Sequence, residues 1–215
     1  MLNIKNQLNM NYSIITELIM LTNSSTLIQQ VANILSESFL DDPSFTYIFG
    51  DNTHKAKALN AFFEIFATDG IQRGKILIAP DEQGACIWYP AEVEIFNQQF
   101  EELLSNVIDT ILEITGKESS QRFEQLVEKV SANEPKQKHC EVFFLGLKPV
   151  ARNKGIGKSL LKPVLDYADT NQVGCYLVSS NARNLSFYER QGFQKYCSIE
   201  ISSFYSMTGM WRNVG

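Results

Sequence analysis

The most informative part of this chain is the stretch from Leu145 to Leu161, L-G-L-K-P-V-A-R-N-K-G-I-G-K-S-L-L. Residues 141–147 are strand-like, residues 155–170 have the apolar spacing of an amphipathic helix, and a loop rich in glycine and cations joins them. The first N–H groups of a helix have no intrahelical acceptor, and the helix dipole adds positive charge there. Gly155 and Gly157 let an anion approach the backbone without meeting a Cβ. The stretch therefore predicts an anion site.

Two nucleotide-binding motifs fail at this loop. A Walker A motif, G-x-x-x-x-G-K-S, matches at its end, but Arg152 occupies the position of its first glycine. A dinucleotide fingerprint, G-x-G-x-x-G, needs a glycine where Leu160 stands. The predicted anion is therefore neither a magnesium-bound nucleoside triphosphate nor a dinucleotide.

The elements around this stretch predict an α/β fold. Downstream we predict a strand at 174–179, a helix at 185–191 and an antiparallel pair of strands at 193–201 and 204–211. A strand–helix–strand order implies a parallel step in the sheet. Upstream we predict frayed residues at 1–11, a weak strand at 12–18 and helices over about 24–41 and 53–68. These are followed by two strands at 75–79 and 85–89, joined by a hairpin loop, and by a helical stretch at 91–133 with two apolar stripes.

Composition narrows the function classes. The chain has 215 residues, a net charge of -5 and a pI near 5.2, which disfavours nucleic-acid binding. It lacks the run of ~18 apolar residues that a membrane helix needs, and it lacks a signal peptide, so we expect a cytoplasmic protein without membrane contact. The four cysteines are expected to be buried free thiols, and no metal site is expected, because there is no C-x-x-C pair and there are only two histidines. His139 and Cys140 are adjacent on a strand and point to opposite faces, which disfavours a nucleophile–base pair.

Two linked motifs resemble the GNAT superfamily of N-acetyltransferases. The loop Arg152-x-x-Gly155-x-Gly157 matches its R/Q-x-x-G-x-G/A motif, and residues 181–193, N-A-R-N-L-S-F-Y-E-R-Q-G-F, look like its N-x-x-[AN]-x-x-x-Y-x-x-x-G-F signature. The resemblance covers residues 139–200 well. It implies one domain over residues 1–215, with a mixed, splayed central sheet flanked by helices and an extra helical insertion at 91–133.

The resemblance also implies a binding site for acetyl-CoA. The loop would hold its pyrophosphate through Arg152, Asn153, Lys154, Gly155, Ile156, Gly157 and Lys158. The preceding strand would offer main-chain groups to the pantetheine arm at Leu145, Gly146 and Leu147. Because a glycine within a strand often marks a bulge or a close backbone approach, Gly146 is the expected point at which the sheet splays. Asn184 would hydrogen-bond the cofactor from the start of the next helix.

The catalytic residues are the least specific part of the resemblance. Tyr188 matches the family's usual general acid, since a tyrosine can protonate a departing thiolate. Glu141 lies fourteen residues before Gly155, where some members carry a catalytic base, and it would share a face with Phe143 and Leu145. Its alternatives are a solvated glutamate at a strand end and a base made of a water chain.

The acceptor is expected to be a small-molecule or peptide amine, with the protein a monomer or homodimer. Asp41, Asp42 and the aromatic residues that follow are either a wall that attracts a cationic amine or a helix stop with local packing. The segment 91–133 either covers the acceptor site or adds a helical layer. A non-catalytic acyl-CoA-binding sensor of the same fold is the alternative function.

Overall fold

A computed structural model of the chain describes residues 24–215. Its six strands form one sheet in the order β1-β2-β3-β4-β6-β5. The strands are β1 (Lys75–Ile78), β2 (Gly84–Tyr89), β3 (His139–Leu147), β4 (Gly174–Ser179), β5 (Gln194–Ser202) and β6 (Tyr205–Arg212). The α-helices of the described part are α1 (Ser24–Phe39), α2 (Pro43–Phe49), α3 (Lys55–Gln72), α4 (Gln98–Thr115), α5 (Lys117–Ser131), α6 (Ile156–Asn171) and α7 (Leu185–Glu189).

The sheet is mixed, as predicted. Strands β1, β2 and β3 pair antiparallel, β3 and β4 pair parallel, and β6 pairs antiparallel with both β4 and β5. The parallel pair flanks α6, the crossover helix predicted from the apolar spacing of residues 155–170. The open sheet with helices on both faces confirms the predicted fold class.

The helices form a layer on each face of the sheet. Helices α1 and α3 pack against each other and against β1–β3, with a core rich in phenylalanine. Helix α6 packs on the opposite face against β2, β3 and β4, where Leu160, Leu161 and Val164 are buried. The sheet separates the two cores, and β3 is the strand that leads into the predicted anion loop.

Helix α2 was not predicted. The Asp42-Pro43 pair ends one helix, as expected, but it also begins the next one. The Asp42 carboxylate accepts hydrogen bonds from the Ser44 amide at 2.9 Å and the Ser44 hydroxyl at 2.6 Å, and Pro43 occupies the first turn, where a missing N–H costs nothing. This turn places Phe45 in the core between α1 and α3.

The segment 91–133 contains two amphipathic helices, α4 and α5, which meet at Gly116. Asn97 caps α4 by accepting a hydrogen bond from the Phe100 amide. Their apolar stripes face the core on the α1/α3 side, where Phe100, Val107 and Phe123 are buried. This agrees with the predicted helical insertion.

Most predicted boundaries differ from the observed ones by one to four residues. The frayed segment 1–11 and the weak strand 12–18 lie outside the described residues. All four cysteines are free, and three of them are buried. Within residues 24–215 no helix has the length and apolar character needed to cross a membrane.

Candidate active site

Strands β3 and β4 separate halfway along their length. They pair from His139 with Gly174 to Val142 with Leu177, and beyond this point residues 144–147 pair only with β2 among the described residues. The edge of β3 that faces β4 therefore has main-chain N–H and C=O groups without a strand partner, and such groups need hydrogen bonds from elsewhere. The splay predicted from the resemblance is present, but it begins after Val142 and not at Gly146.

A β-bulge at Phe143 lies next to this separation. Trp88 pairs with Val142 and Ile87 pairs with Phe144, which leaves Phe143 without an opposing residue in β2. A bulge interrupts the alternation of side chains. Phe143 and Phe144 consequently both contact the α1/α3 core, while Leu145 packs in the core on the α6 side. The expected shared face of Glu141, Phe143 and Leu145 is therefore interrupted at the bulge.

Gly146 has a packing role toward helix α1. A Cβ at this position would lie 2.8 Å from the Ser38 Cβ and 2.9 Å from a ring carbon of Phe39. Any larger residue would push α1 away from β3. The close approach predicted from a glycine in a strand is thus an approach of this helix.

The predicted anion loop ends at an uncapped helix start. Gly155 is the N-cap of α6, with φ of 79°, and no side chain caps the first amides of the helix. A Cβ at Gly155 would have no other atom within 4 Å, so the space above this turn is open. Around it Arg152, Lys154 and Lys158 are exposed. The arrangement provides free amides and cations for an anionic group.

Gly157 serves packing as well as access. It is buried, and a Cβ here would lie 3.3 Å from the Phe187 ring and 3.5 Å from a Leu147 methyl group. Its small size therefore allows α6 to approach α7 and the end of β3. Arg152 is also engaged elsewhere, since its guanidinium donates to the Ser38 carbonyl at 3.1 Å. These contacts connect the loop to the end of α1 and to α7.

A cavity of about 150 Å³ lies where β3 and β4 diverge. Four of the predicted site residues line it, namely Glu141, Leu145, Asn184 and Tyr188. The rest of its wall is predominantly apolar. Its phenylalanines are Phe39, Phe45, Phe62, Phe66, Phe96, Phe100, Phe123, Phe143 and Phe144. Glu141 is the one acidic or basic side chain among the described residues of this wall.

Tyr188 is buried at one end of this cavity. Its ring packs between Phe187 and Phe193, with centroid distances of 5.0 Å and 5.9 Å. Burial, followed by the charges of Cys86 and Asp42, raises the pKa of Tyr188 above its ordinary value. The phenol therefore stays protonated at neutral pH and remains available as a proton donor.

Glu141 is 3% exposed and has one carboxylate oxygen without a hydrogen-bond partner. Burial raises the pKa of this carboxyl well above its usual range, and the neighbouring Glu134 raises it further. A solvated glutamate at a strand end is thereby excluded, because the side chain is inside the cavity wall. A carboxyl with a raised pKa in a closed site is suited to take up a proton.

Glu134 and His139 accompany Glu141. From the sequence we considered His139 only as a base for Cys140, and we did not single out Glu134. His139 Nε2 lies 2.9 Å from Glu134 Oε1, and its Nδ1 lies 2.6 Å from the Gln137 carbonyl. One carboxylate oxygen each of Glu134 and Glu141 and one ring nitrogen of His139 lie within 4.8 Å of one another. Both ring nitrogens of His139 are thus engaged in hydrogen bonds. A Glu five residues before a His at a strand start was the only signal in the sequence.

The predicted acidic acceptor wall is not part of the cavity. Asp42 caps α2 and also accepts a hydrogen bond from the Ser180 hydroxyl at 2.7 Å, while Asp41 lines a separate surface groove beside Arg122. Phe45 does line the cavity, whereas Tyr47 lines the surface groove. The alternative of a helix boundary with local packing therefore describes this pair of aspartates.

The segment 91–133 covers the cavity. Phe96, Phe100 and Leu104 from the first part and Phe123, Val127 and Val130 from α5 line it on the side away from the sheet. Both alternatives for this segment therefore apply, since the added helical layer is also the cover of the site.

Comparison with known proteins adds a family match and a shared fold. The model of the Acetyltransferase (GNAT) family matches residues 91–193, which include α4, α5, the anion loop and Tyr188. A protein from Corynebacterium glutamicum described as histone acetyltransferase HPA2 and related acetyltransferase is 20% identical, with a TM-score of 0.61 over 91% of this chain and 95% of that one. Polyamine N-acetyltransferase from Drosophila melanogaster is 12% identical, with a TM-score of 0.61 over 90% and 97%. Arylalkylamine N-acetyltransferase 2 from Aedes aegypti is 16% identical, with a TM-score of 0.55 over 91% and 98%.

Proposed function

Since this chain belongs to the GNAT superfamily of acetyltransferases, we propose that it transfers an acetyl group from acetyl-CoA to a primary amine by direct attack. The family match makes it an acyltransferase that uses an acyl-CoA donor; the acetyl group and the amine are our proposals. One observation carries them. Glu141 and Tyr188 line the same cavity, at the point where β3 and β4 separate.

The separated strands and the helix start suit the two parts of acetyl-CoA. We assign the pyrophosphate to residues 152–158, where the amides at the start of α6 are uncapped and three cations are exposed. We assign the pantetheine arm to the free edge of β3 at residues 145–147, since its amide groups match unpaired main-chain groups. Asn184 lines the cavity at the start of α7 and is assigned to the cofactor end.

The reaction needs a neutral amine and a protonated leaving group. In our mechanism Glu141 takes a proton from the ammonium, the amine nitrogen attacks the thioester carbonyl carbon, and the carbon–sulfur bond breaks as the tetrahedral intermediate collapses. Tyr188 gives its proton to the departing sulfur, whose thiol has an ordinary pKa of about 8.5. The raised pKa of Glu141 supports its role as the base, and the raised pKa of Tyr188 keeps its phenol protonated.

The cavity favours an amine that carries one aromatic ring. A cavity of about 150 Å³ lined by apolar side chains holds a benzene-sized group. A flexible polyamine would leave a second ammonium among phenylalanines without a carboxylate partner, since Glu141 is the one carboxylate among the described residues that line the cavity. Of the amines that appear in the neighbours' names, an arylalkylamine fits this cavity better than a polyamine.

Acetyl-CoA is expected to raise the melting temperature of the protein in a concentration-dependent way, because a ligand that binds the folded state stabilises it. Lys158→Glu places a negative charge at the exposed helix start and should weaken this binding by at least about 10-fold. Lys57→Glu, an equally exposed reversal on α3, is the control and should bind like the wild type. Equal melting shifts in all three proteins would contradict the assigned phosphate site.

In an assay of acceptor amines we expect 2-phenylethylamine to be acetylated at least about 10-fold more efficiently than putrescine, judged by kcat/KM. Val127→Phe should raise the KM for the aromatic amine and leave that for acetyl-CoA unchanged, because Val127 lines the cavity. Leu112→Phe adds the same kind of ring on the exposed face of α4 and serves as the control. A preference for putrescine would overturn the aromatic assignment.

A non-catalytic acyl-CoA sensor is the alternative function. It would bind acetyl-CoA with the same melting shift but release no free thiol with any amine. Measuring free coenzyme A with a thiol reagent therefore separates the two functions.

A further inference from the structure

Among the described residues, Glu141 is the one carboxylate in the cavity wall that can accept the proton from the amine. The remaining polar side chains in that wall are Ser44, Ser179, Ser180, Asn184 and Tyr188. Glu141 is 3% exposed, so its direct contact with bulk water is small. The residues behind it offer a route that restores it to the ionised form.

Glu134 lies between the cavity and the surface. It lines a surface groove together with Asn133, Lys136 and Tyr196. A carboxylate oxygen of Glu134 lies within 4.8 Å of a carboxylate oxygen of Glu141. Oε2 of Glu134 and Oε2 of Glu141 are both buried and have no hydrogen-bond partner. The two unpartnered oxygens belong to neighbouring carboxyl groups, so a proton on Glu141 has Glu134 as its nearest carboxyl acceptor.

His139 is the hydrogen-bonded neighbour of Glu134. Its Nδ1 donates to the Gln137 carbonyl, which directs Nε2 toward Glu134 Oε1 at 2.9 Å. Edge-to-face contacts with Tyr176 and Trp211, both at 5.6 Å between ring centroids, hold the ring in place. The side chains of His139 and Glu134 are 10% and 19% exposed, which is enough for contact with water.

We infer that Glu134 and His139 form the exit route by which the proton taken up by Glu141 leaves the cavity for the surface groove. The inference rests on the proposed acetyl transfer and assigns two further residues to it. Each step moves a proton between neighbouring oxygen or nitrogen atoms, from Glu141 to Glu134 and then to His139 or to water. Neither Glu134 nor His139 contacts the cavity, so both are positioning residues for Glu141.

The titratable groups around the route agree with it. Tyr89 and Tyr176 are the register neighbours of Glu141 in β2 and β4, and Cys140 precedes it in β3. Burial raises the pKa of both tyrosines, so they stay neutral. Burial lowers the pKa of His139, but its hydrogen bonds to Glu134 and Gln137 outweigh this and the net direction is upward. His139 is therefore able to carry the proton near neutral pH.

The test compares Glu134→Gln with Glu128→Gln, an exposed glutamate on α5, in the full-length protein. Glutamine keeps the shape of the side chain but cannot relay a proton. We expect kcat for the best amine to fall by about 10-fold in Glu134→Gln, less than the ~10²- to 10⁴-fold effect of a direct base. The acidic limb of the pH profile should move to lower pH by about one pH unit, because a negative neighbour of Glu141 is removed.

Added formate should restore part of the lost rate in Glu134→Gln, since it supplies a mobile proton acceptor, and it should not change Glu128→Gln. Packing changes alone would lower the rate without formate rescue.

If Glu134→Gln has a lower melting temperature than the wild type, His139→Gln gives the second measurement. Its loss of kcat should be smaller, and imidazole should restore it. If the wild type releases coenzyme A, and if Glu134→Gln and His139→Gln both have the kcat and pH profile of the wild type, the proton route is wrong while the proposed acetyl transfer still holds. Absence of turnover with every amine would overturn the proposed function. Loss of wild-type activity in EDTA, restored by Zn²⁺, would identify a metal site in place of the route.

Discussion

Replacing Glu141 by glutamine is expected to lower turnover by about 10²- to 10⁴-fold, the range for loss of a general base. The acetyl-CoA-induced melting shift should stay unchanged. The loss should be largest between the raised pKa of Glu141 and the pKa of the amine. Below that window the wild-type carboxyl is itself protonated, and above it the amine is already neutral. Turnover measured from pH 5 to pH 10 tests this window.

The stability of this variant provides an internal control with a definite sign. Because the folded-state pKa of Glu141 lies above its unfolded value, the folded protein binds the proton more tightly. The wild type should therefore lose stability as pH rises from the ordinary glutamate range through the raised pKa. Glu141→Gln lacks this loss and should melt at the same temperature or higher at alkaline pH. If Glu141→Gln has the same rate as the wild type throughout the window, Glu141 is not the base, and a chain of water molecules would have to accept the proton.

Replacing Tyr188 by phenylalanine is expected to lower turnover by about 10- to 1000-fold while acetyl-CoA affinity is nearly unchanged. The ring contacts with Phe187 and Phe193 are kept, so the fold should be unaffected. Only the proton donor for the departing sulfur is lost. The raised pKa of Tyr188 further predicts that the wild type shows no alkaline limb from this group at ordinary assay pH.

Steady-state kinetics with a saturating amine and a thermal-shift titration check the two parts of this prediction separately. Tyr196→Phe removes a phenolic hydroxyl from an exposed position and should have wild-type kinetics. An unchanged rate in Tyr188→Phe across the pH range would assign this tyrosine to core packing alone. A large loss of acetyl-CoA affinity would instead place it in the binding of the cofactor.

The part of the fold from residue 139 to the end was predicted well because its signals are local. Gly155 at a helix start, the apolar spacing of α6 and the unbroken apolar run of β4 each act over a few residues. Helix α2 was missed because its local signal is ambiguous. Asp42-Pro43 both stops a helix and starts one, and only the packing of Phe45 between α1 and α3 distinguishes these outcomes.

The roles of the glycines in the site depended on contacts between distant elements. The sequence indicated that Gly146 and Gly157 need close approach, which is correct, but it pointed to a ligand as the neighbour. The neighbours in the fold are Ser38 and Phe39 of α1 for Gly146, and Phe187 of α7 for Gly157. Contacts across more than a hundred residues, such as that of Gly146 with α1, leave no periodic pattern in the chain.

By itself, the sequence determined the family resemblance, the mixed α/β fold and the helix start at Gly155, because each depends on residue types within one or two neighbouring elements. Only the tertiary structure decided that Glu141 is buried, that a bulge at Phe143 directs two phenylalanines into one cavity, and that Asp41 and Asp42 stay outside it. It also brought Glu134 beside Glu141. Burial, strand register and the charge of a neighbour arise from packing between elements, and these set the pKa of Glu141 and the space left for an acceptor.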